Sequence, residues 1–573
     1  AREILTLYGK GEMEAILMYK KICNAFELVE RWPESTTRAF LEQLLNVSDL
    51  LGPTCKTLVN SISKLRWSLI PSDLREPWRR LLCEIGVRHV IHLETIYQAA
   101  IANLVPPTVV NEERQTVMSL NEEEQSEMYG MAHSIIRQLL LCVPSSCKMA
   151  SRFFTRTFPH HSSPAIKFTE YVRNLLNAST YADPIRDDIW AILLDSLVSV
   201  DSLITRPGDA DDSGAEIFVL DEDEEEMETG WDQSAQVQVS KLNDSMESVI
   251  QYLTVAYGGD VDPSVVSWMH CERGKEESIY MSLQTAFEKQ LLPSRAVRFV
   301  PFLWLFLGSL DESYPARILT FLWETMIRPS TVQGEQRKAH GAASYLAAFI
   351  ARAQYVDIDL AKTYLSKLAA YLAAYVDRVG LSSRTVTPGL AHHGVFYAMA
   401  NAFFLAFAFR YREIVKSGAL DEVRHWCLGR FIHSSLDPLR YALRSVACCF
   451  AAVSRSLQLI YCNHVLSLAH DDVRRPFEPC FPFDSYELDK SAAVIAPLTR
   501  KFSPMKEDKL TLTIELKGAR GHIEEDEGAV DFLDDNDVEM EFGSVKSTGP
   551  LSSDKLFASY ASSPGLRPFH VGS

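Results

Sequence analysis

Two pairs of adjacent histidines, His160-His161 and His392-His393, and eleven scattered cysteines are the residues of this chain best suited to chemistry. A histidine can act as a general base, but a base needs a nucleophile within reach and a group that orients it. No spacing in the sequence supplies either, so a packing, loop or helix-entry role is favoured for both pairs. Cys142 and Cys147, followed by His160 and His161, come nearest to a zinc pattern. The two cysteines are too far apart for a CxxC knuckle, and adjacent histidines rarely converge on one ion. No metal and no other cofactor is expected. The chain contains no GxxxxGK[ST] phosphate loop, no GxGxxG after a strand, no HExxH and no GxSxG elbow, and its carboxylates lack EF-hand spacing. The expectation is a protein that is not an enzyme.

The remaining cysteines fit that reading. Cys448 and Cys449 lie in an apolar run and read as core, and reduced thiols suit an intracellular compartment. No secretory signal opens the chain, which begins at Ala1 without an initiator methionine. The sequons at Asn46, Asn177 and Asn243 carry no meaning without secretion.

The elements that must position functional groups are helices. In Gly341 to Val356, Ala342, Tyr345, Leu346, Phe349 and Ile350 recur at helical spacing. In Ala361 to Val376, Ala361, Tyr364, Leu365, Leu368, Leu372, Tyr375 and Val376 do the same. Each helix has one wide apolar face that it cannot cover alone, so the pair is expected to pack antiparallel and to stack on similar pairs. Further helices are predicted over Met13–Val29, Thr36–Leu45, Pro77–Leu104, Glu122–Cys142, Phe168–Leu176, Arg186–Leu203, Leu242–Ala256 and Glu276–Leu291, then almost continuously from Val297 to Leu468. Proline-rich breaks separate them. Strand alternation occurs only at Lys509–Leu516, in the tail. The apolar stretch Gly394–Phe409 is shorter than the roughly 20 residues needed to cross a bilayer and reads as a buried helix, so no membrane partner is expected. The predicted fold class is all-α, a HEAT-like helical-repeat solenoid. At 573 residues the chain is long for one compact core but not for a stacked array.

The formal charge of −18 is unevenly spread. Gly208 to Thr229 holds eleven carboxylates and no base, and the chain from Pro504 onward holds fourteen acids against seven bases. These two segments account for the whole excess and have few apolar residues to bury, so both are predicted to be disordered. The expected organisation is N-terminal helical repeats over residues 1–207, an acidic insertion over 208–230, C-terminal repeats over 231–503 and an acidic tail over 504–573. Bases cluster modestly at Arg75, Arg79, Arg80 and Arg88, at Arg337 and Lys338, and at Arg474 and Arg475. A near-neutral body lacks the dense basic stripe of an autonomous DNA binder, which leaves at most weak DNA contact.

Six segments carry a resemblance when read in order: LCVPSS (Leu141–Ser146), FFTRTFPHHSSPAIKFTEYVRNLL (Phe153–Leu176), FVLDEDEEEMETGW (Phe218–Trp231), AAFIARAQYV (Ala347–Val356), HGVFYAMANAFFLAFAFRYRE (His393–Glu413) and FEPCFPFDSYEL (Phe477–Leu488). Collinear over roughly residues 80 to 500, they resemble the RNA polymerase I-specific transcription initiation factor family, known as TIF-IA in animals. The resemblance implies a HEAT-repeat protein of the nucleus and nucleolus that binds RNA polymerase I. It would bring the polymerase to ribosomal RNA genes through a promoter-bound core factor, and a homodimer is a possible alternative state.

Members of that family present a serine-rich surface to the polymerase that phosphate-like charge weakens. The positions matching its neighbourhood are Ser145 and Ser146, with Ser162 and Ser163 in the next connection. A phosphate adds about −1.5 to −2 charge to a surface that must close against its partner. Pro144-Ser145-Ser146 also has the form of an ordinary helix N-cap, and the residues leave both roles open. On the promoter side the resemblance directs attention to Ala347–Val356 and to Phe481, Phe483 and Asp484. Within Ala347–Val356, Phe349 and Ile350 read as core. For the aromatics beside Pro482, docking within the chain is favoured over docking onto a partner. Proline-directed phosphorylation is plausible at Ser563 and Ser503, and Thr387 has the same dipeptide. The alternative function is a transport or scaffold adaptor of the karyopherin kind, which would bind a transport GTPase or cargo in place of polymerase.

Overall fold

A computed structural model of the chain describes residues 1–111, 116–204, 233–270, 274–294, 297–328, 332–382, 388–462, 482–484 and 486–502. Among them the regular structure is helical, apart from one two-stranded antiparallel hairpin, β1 (Thr108–Val110) and β2 (Thr116–Met118), and an isolated antiparallel bridge between Ala353 and Thr499. The acidic stretch 208–230, the tail from Ser503 and its predicted strand, Phe481, Ser563, Thr387, Arg474 and Arg475 lie outside the described residues.

The helices pack into two units. The first comprises Ala1–Ile204 and Gln233–Gln290 and contains α1 (Arg2–Gly9), α2 (Met13–Ala25), α3 (Glu34–Leu45), α4 (Lys56–Lys64), α5 (Ser72–Arg88), α6 (Leu93–Ala102), α7 (Glu122–Cys142), α8 (Cys147–Thr157), α9 (Ala165–Tyr181), α10 (Arg186–Asp201), α11 (Gln233–Ala256) and α12 (Glu276–Gln290). Odd-numbered helices from α3 to α11 stack in one layer and even-numbered helices from α2 to α12 in the other. Each helix therefore neighbours the one two places along, as a helical-repeat array requires. The unit does not end at the acidic stretch, where the sequence suggests a boundary. Helix α11 packs on α9 and α12 on α10, so the apolar faces of residues 233–290 are covered by the array that precedes them.

The second unit begins at Leu291 and holds α13 (Pro301–Gly308), α14 (Tyr314–Ile327), α15 (Gln333–Arg352), α16 (Ile358–Ser382), α17 (Leu390–Lys416), α18 (Leu420–Arg424), α19 (Leu428–Ile432), α20 (Arg444–Ser456) and α21 (Asp489–Ile495). Helix α17 packs against α15, α16 and α20. It is long and apolar enough to span a bilayer, yet 83% of its apolar window is buried inside the protein, so packing accounts for its hydropathy. Helix α15 approaches the preceding turn so closely that a Cβ on Gly341 would stand 2.0 Å from the Leu292 carbonyl oxygen.

Local sequence explains several boundaries. Asn121 caps α7 by accepting a hydrogen bond from the Glu124 amide at 2.8 Å, and three glutamates follow in the first turn. Helix α3 starts two residues earlier than predicted, directly after Pro33. The predicted Pro77–Leu104 helix breaks in two. His92 is fully buried in the break, where its Nε2 lies 3.1 and 3.0 Å from the carbonyl oxygens of Leu51 and Gly52 in the preceding inter-helix turn. Helices α1, α4 and α8 were not legible as helices, because each is short and only tertiary contact stabilises it.

Polar side chains tie other turns together. Asn177 donates to the Trp268 carbonyl at 2.8 Å and accepts from the His270 amide at 2.9 Å. Arg186 donates to the Ser179 carbonyl at 2.9 Å and to Ser278 Oγ at 2.5 Å, and pairs with Asp183. His133 lies between Asn174 Oδ1 at 3.0 Å and the Tyr181 hydroxyl at 2.9 Å. The Asn174 amide is oriented by the carbonyls of Leu104 and Glu170, so Nε2 of His133 carries the proton.

Two outcomes test this packing. Gly341→Ala should lower the thermal midpoint by several degrees, since a methyl group there forces α15 off the 291–294 turn; an unchanged midpoint would mean that the contact is looser than described. Burial lowers the His133 pKa from 6.5 to about 4. Its neutral form is favoured in the folded state, so its stabilisation is complete above about pH 6.5 and is lost as pH falls toward 4. Unfolding free energies from urea titrations should decline over that window by an amount on the order of 1–3 kcal/mol more in the wild type than in His133→Gln. Parallel declines would remove His133 as the cause.

Candidate interaction surface

The four candidate serines do not form one patch. Pro144–Ser146 is a single 3₁₀ turn between α7 and α8, whereas Ser162 and Ser163 lie in the connection after α8. Helix α8 has 11 residues, which places the two groups about 16 Å apart along its axis.

Ser146 and Ser145 have opposite environments. Ser146 is 3% exposed; its hydroxyl donates to the Val143 carbonyl at 2.6 Å and meets the Tyr97 hydroxyl at 2.8 Å. Burial pushes the Tyr97 hydroxyl up to about 12. Ser146 occupies the N-cap position of α8, yet its side chain makes no capping hydrogen bond there. It is therefore neither a side-chain cap nor a surface contact, because its oxygen is committed to the α6–α7 side of the turn. Ser145 is exposed, and its hydroxyl has no partner among the described residues.

In the following connection Ser162 is exposed and Ser163 half-buried. The Ser162 hydroxyl and amide both point at Nδ1 of His160, at 2.8 and 3.3 Å, which places the His160 proton on Nε2. The His161 carbonyl accepts from the buried Lys241 ammonium and, at 3.2 Å, from Gln238. This loop is thus held from beneath by α11. Among the described residues no group of three or more His, Cys, Asp or Glu is placed to hold a metal ion.

The second expected surface turns inward. Phe483 is 1% exposed and packs its ring 4.8 Å from that of Phe349, 5.6 Å from Phe302 and 5.9 Å from Tyr345. Its backbone sits at φ 69°, a left-handed conformation that costs a bulky residue on the order of 1–2 kcal/mol and that this aromatic burial offsets. Phe483 is therefore an intrachain anchor and cannot meet a partner in this state. Asp484 stays partly exposed and accepts from Arg352 at 3.0 Å, while the Arg352 guanidinium covers the Phe409 ring at 4.9 Å. Phe349 and Ile350 belong to the core.

Beyond this anchor the chain closes the end of α15. Arg500 donates to the carbonyls of Ala351 and Ala353 at 3.1 and 3.2 Å, and its own amide donates to the Arg352 carbonyl at 2.6 Å. Fully buried Arg410 donates to the carbonyls of Ile350 and Val356 at 2.9 and 3.1 Å. Glu413 bridges the two cations at 2.7 Å from Arg410 and 3.2 Å from Arg500.

The basic clusters read from sequence are largely neutralised in place. Arg75 pairs with Glu127, Arg79 and Arg80 with Glu76, and Arg88 with Glu84. Hydrogen bonds from Arg79, and then from Arg80, hold the Glu76 carboxyl down at about 2. Lys338 pairs with Glu335. A further set of bases lies on α8: Lys148, Arg152 and Arg156 recur every fourth residue on an exposed face, and of the three only Arg152 meets a carboxylate among the described residues, Glu94 at 3.4 Å. Their spacing in CKMASRFFTRT, with no acid among them, was the available signal, and it needed α8 to be recognised as a helix.

Substituting aspartate at each serine separates the two environments. Ser146→Asp buries a carboxylate against Tyr97 and should cost about 3 kcal/mol or more. Ser145→Asp should leave the unfolding midpoint within about 0.5 kcal/mol of wild type. Equal effects of the two in chemical denaturation would contradict the assigned burial.

Residues 10–507 match the sequence pattern of the family described as RNA polymerase I specific transcription initiation factor RRN3. The chain is 36% identical to the RNA polymerase I-specific transcription initiation factor tif-1A of Caenorhabditis elegans, covering 100% of this chain and 94% of that protein. It is 25% identical to the mouse RNA polymerase I-specific transcription initiation factor RRN3, covering 98% and 90%. A crystal structure of RNA polymerase I transcription initiation factor Rrn3 superposes with a TM-score of 0.62 at 16% identity, over 87% of this chain and 96% of that one, which establishes the shared helical-repeat fold. Match length, identity and fold agree, and the chain belongs to the family of RNA polymerase I-specific transcription initiation factors.

Proposed function

We propose that this chain acts in the nucleus, at the nucleolus, as an initiation factor that binds RNA polymerase I and joins it to the promoter-bound core factor at ribosomal RNA genes. Membership of an initiation-factor family along nearly its whole length carries this reading. The two-layer helical array supports it, since such an array offers extended faces to more than one protein. Polymerase contact is assigned to the first unit, at the α7–α8 turn with Ser145 exposed and at the following connection with Ser162 and Ser163. Ser145 fits a regulated contact because a phosphate there would meet neither a buried wall nor an existing hydrogen-bond partner. On the promoter side the second unit offers the rim around Asp484, where the anchored segment returns to the surface.

The test is affinity purification of the tagged full-length chain from growing cells of its source, followed by mass spectrometry, for wild type and Ser145→Asp. Polymerase I subunits and core-factor subunits should accompany the wild type, and polymerase recovery should fall several-fold in the variant. Recovery of transport GTPases and cargo in place of polymerase would overturn the assignment in favour of an adaptor.

A further inference from the structure

We infer that the outward face of α8 is a preformed basic strip that receives an acidic polypeptide segment of the polymerase. This inference rests on the polymerase-binding reading above and names the chemistry by which that contact works. Helix α8 buries Ala150, Phe153 and Phe154 and turns Lys148, Arg152 and Arg156 outward. Bases four residues apart stand one above another on a helix, so the three charges span about 12 Å.

The fold does not need this strip. Like charges at that spacing destabilise a helix by about 0.2–0.5 kcal/mol per pair, and α8 has no acidic residue to offset them. Arg152 alone approaches a carboxylate, Glu94 at 3.4 Å, with both side chains more than half exposed, an arrangement worth little in water. Among the described residues Lys148 and Arg156 have no carboxylate partner. Elsewhere in the same unit Arg2, Arg38, Arg66, Arg75, Arg79 and Arg173 are all paired within 3.2 Å. Exposed bases such as Lys20, Lys21 and Arg31 also have no carboxylate partner among the described residues, and α8 differs from them in setting three bases in one row four residues apart.

The strip is also ordered before any partner arrives. The guanidinium carbons of Arg152 and Arg156 lie 5.6 and 5.8 Å from the centroid of the Phe153 ring, whose position is fixed by burial. Side chains held in this way lose less freedom on binding than free arginines would. An extended segment carrying two or three carboxylates matches a row of this length and sign. Ser145 stands three residues before Lys148, at the end of the row. A phosphate on its hydroxyl would bring about −1.5 to −2 charge against the three positive charges and repel the same acidic segment. The strip thereby gives Ser145 its leverage.

The experiment measures binding of the purified full-length chain to purified polymerase I of the same source at 50–200 mM salt. It compares wild type, Lys148→Glu/Arg152→Glu/Arg156→Glu, and the charge-conserving Arg152→Lys/Arg156→Lys, with unfolding midpoints as controls. The reversal variant should lose roughly tenfold or more in affinity and bind with a flatter salt dependence, while the conservative variant stays within about threefold of wild type. Wild-type binding that is unchanged in affinity and salt slope by the reversal would overturn the strip and leave the polymerase reading standing. Failure of the wild type itself to bind polymerase I would remove the reading and the strip together. Repeating the series after deletion of residues 208–230 identifies the occupant. An effect of the reversal that vanishes with that deletion would mean that the chain's own acidic stretch engages the strip, which also overturns the assignment to polymerase.

Discussion

A stack of paired helices must satisfy the backbone groups that each inter-helix turn brings against its neighbour. A buried carbonyl or amide without a partner costs about 1–3 kcal/mol, and a repeat array presents such groups at every turn. This chain meets the requirement with side chains that reach from one turn to the next. His92 serves the Leu51 and Gly52 carbonyls, Tyr97 holds the Ser146 turn, and Asn177 joins both a carbonyl and an amide of the 268–270 segment. Arg186 and Lys275 supply the carbonyls of Ser179 and Thr180. In the second unit Arg410 and Arg500 do the same for the end of α15.

That constraint also sorts the polar residues the array uses from those it leaves exposed. Ser145 and Ser146 are adjacent in one turn, yet the array has claimed one hydroxyl and left the other in water. Many arginines are likewise absorbed by neighbouring carboxylates, while on α8 only Arg152 meets one among the described residues, at 3.4 Å. Surface function in this protein is read from what the stack leaves unused.

Periodic helices were legible from the sequence. The Glu122–Cys142 helix was read to its observed ends, and the stripes beginning at Gly341 and Ala361 became α15 and α16, which pack chiefly on α17 and not on each other as their adjacency suggests. The family was legible too, because collinear motifs survive where single motifs do not discriminate. Pairings across long separations were hidden. The burial of Ser146 depends on Tyr97, 49 residues away, and the inward turn of Phe483 depends on Phe302, Tyr345 and Phe349. The basic face of α8 escaped because the helix is only 11 residues long and lies between two proline breaks. A composition change also proved a poor guide to packing units, since the helices after the acidic stretch complete the array before it.

The hydrogen bonds from Arg500 to Ala351 and Ala353 span 149 and 147 residues, which bears on how the chain is made. A ribosome adding about 5–20 residues per second delivers Arg500 roughly 7–30 s after the end of α15. During that interval the α15 carbonyls have water in place of their cation, while the first unit already has every helix it needs. Synthesis from the N-terminus therefore yields a complete first array before a closed second unit. Termination after Gln290 and before Arg500 would release a chain whose first unit is complete and whose second has no clasp.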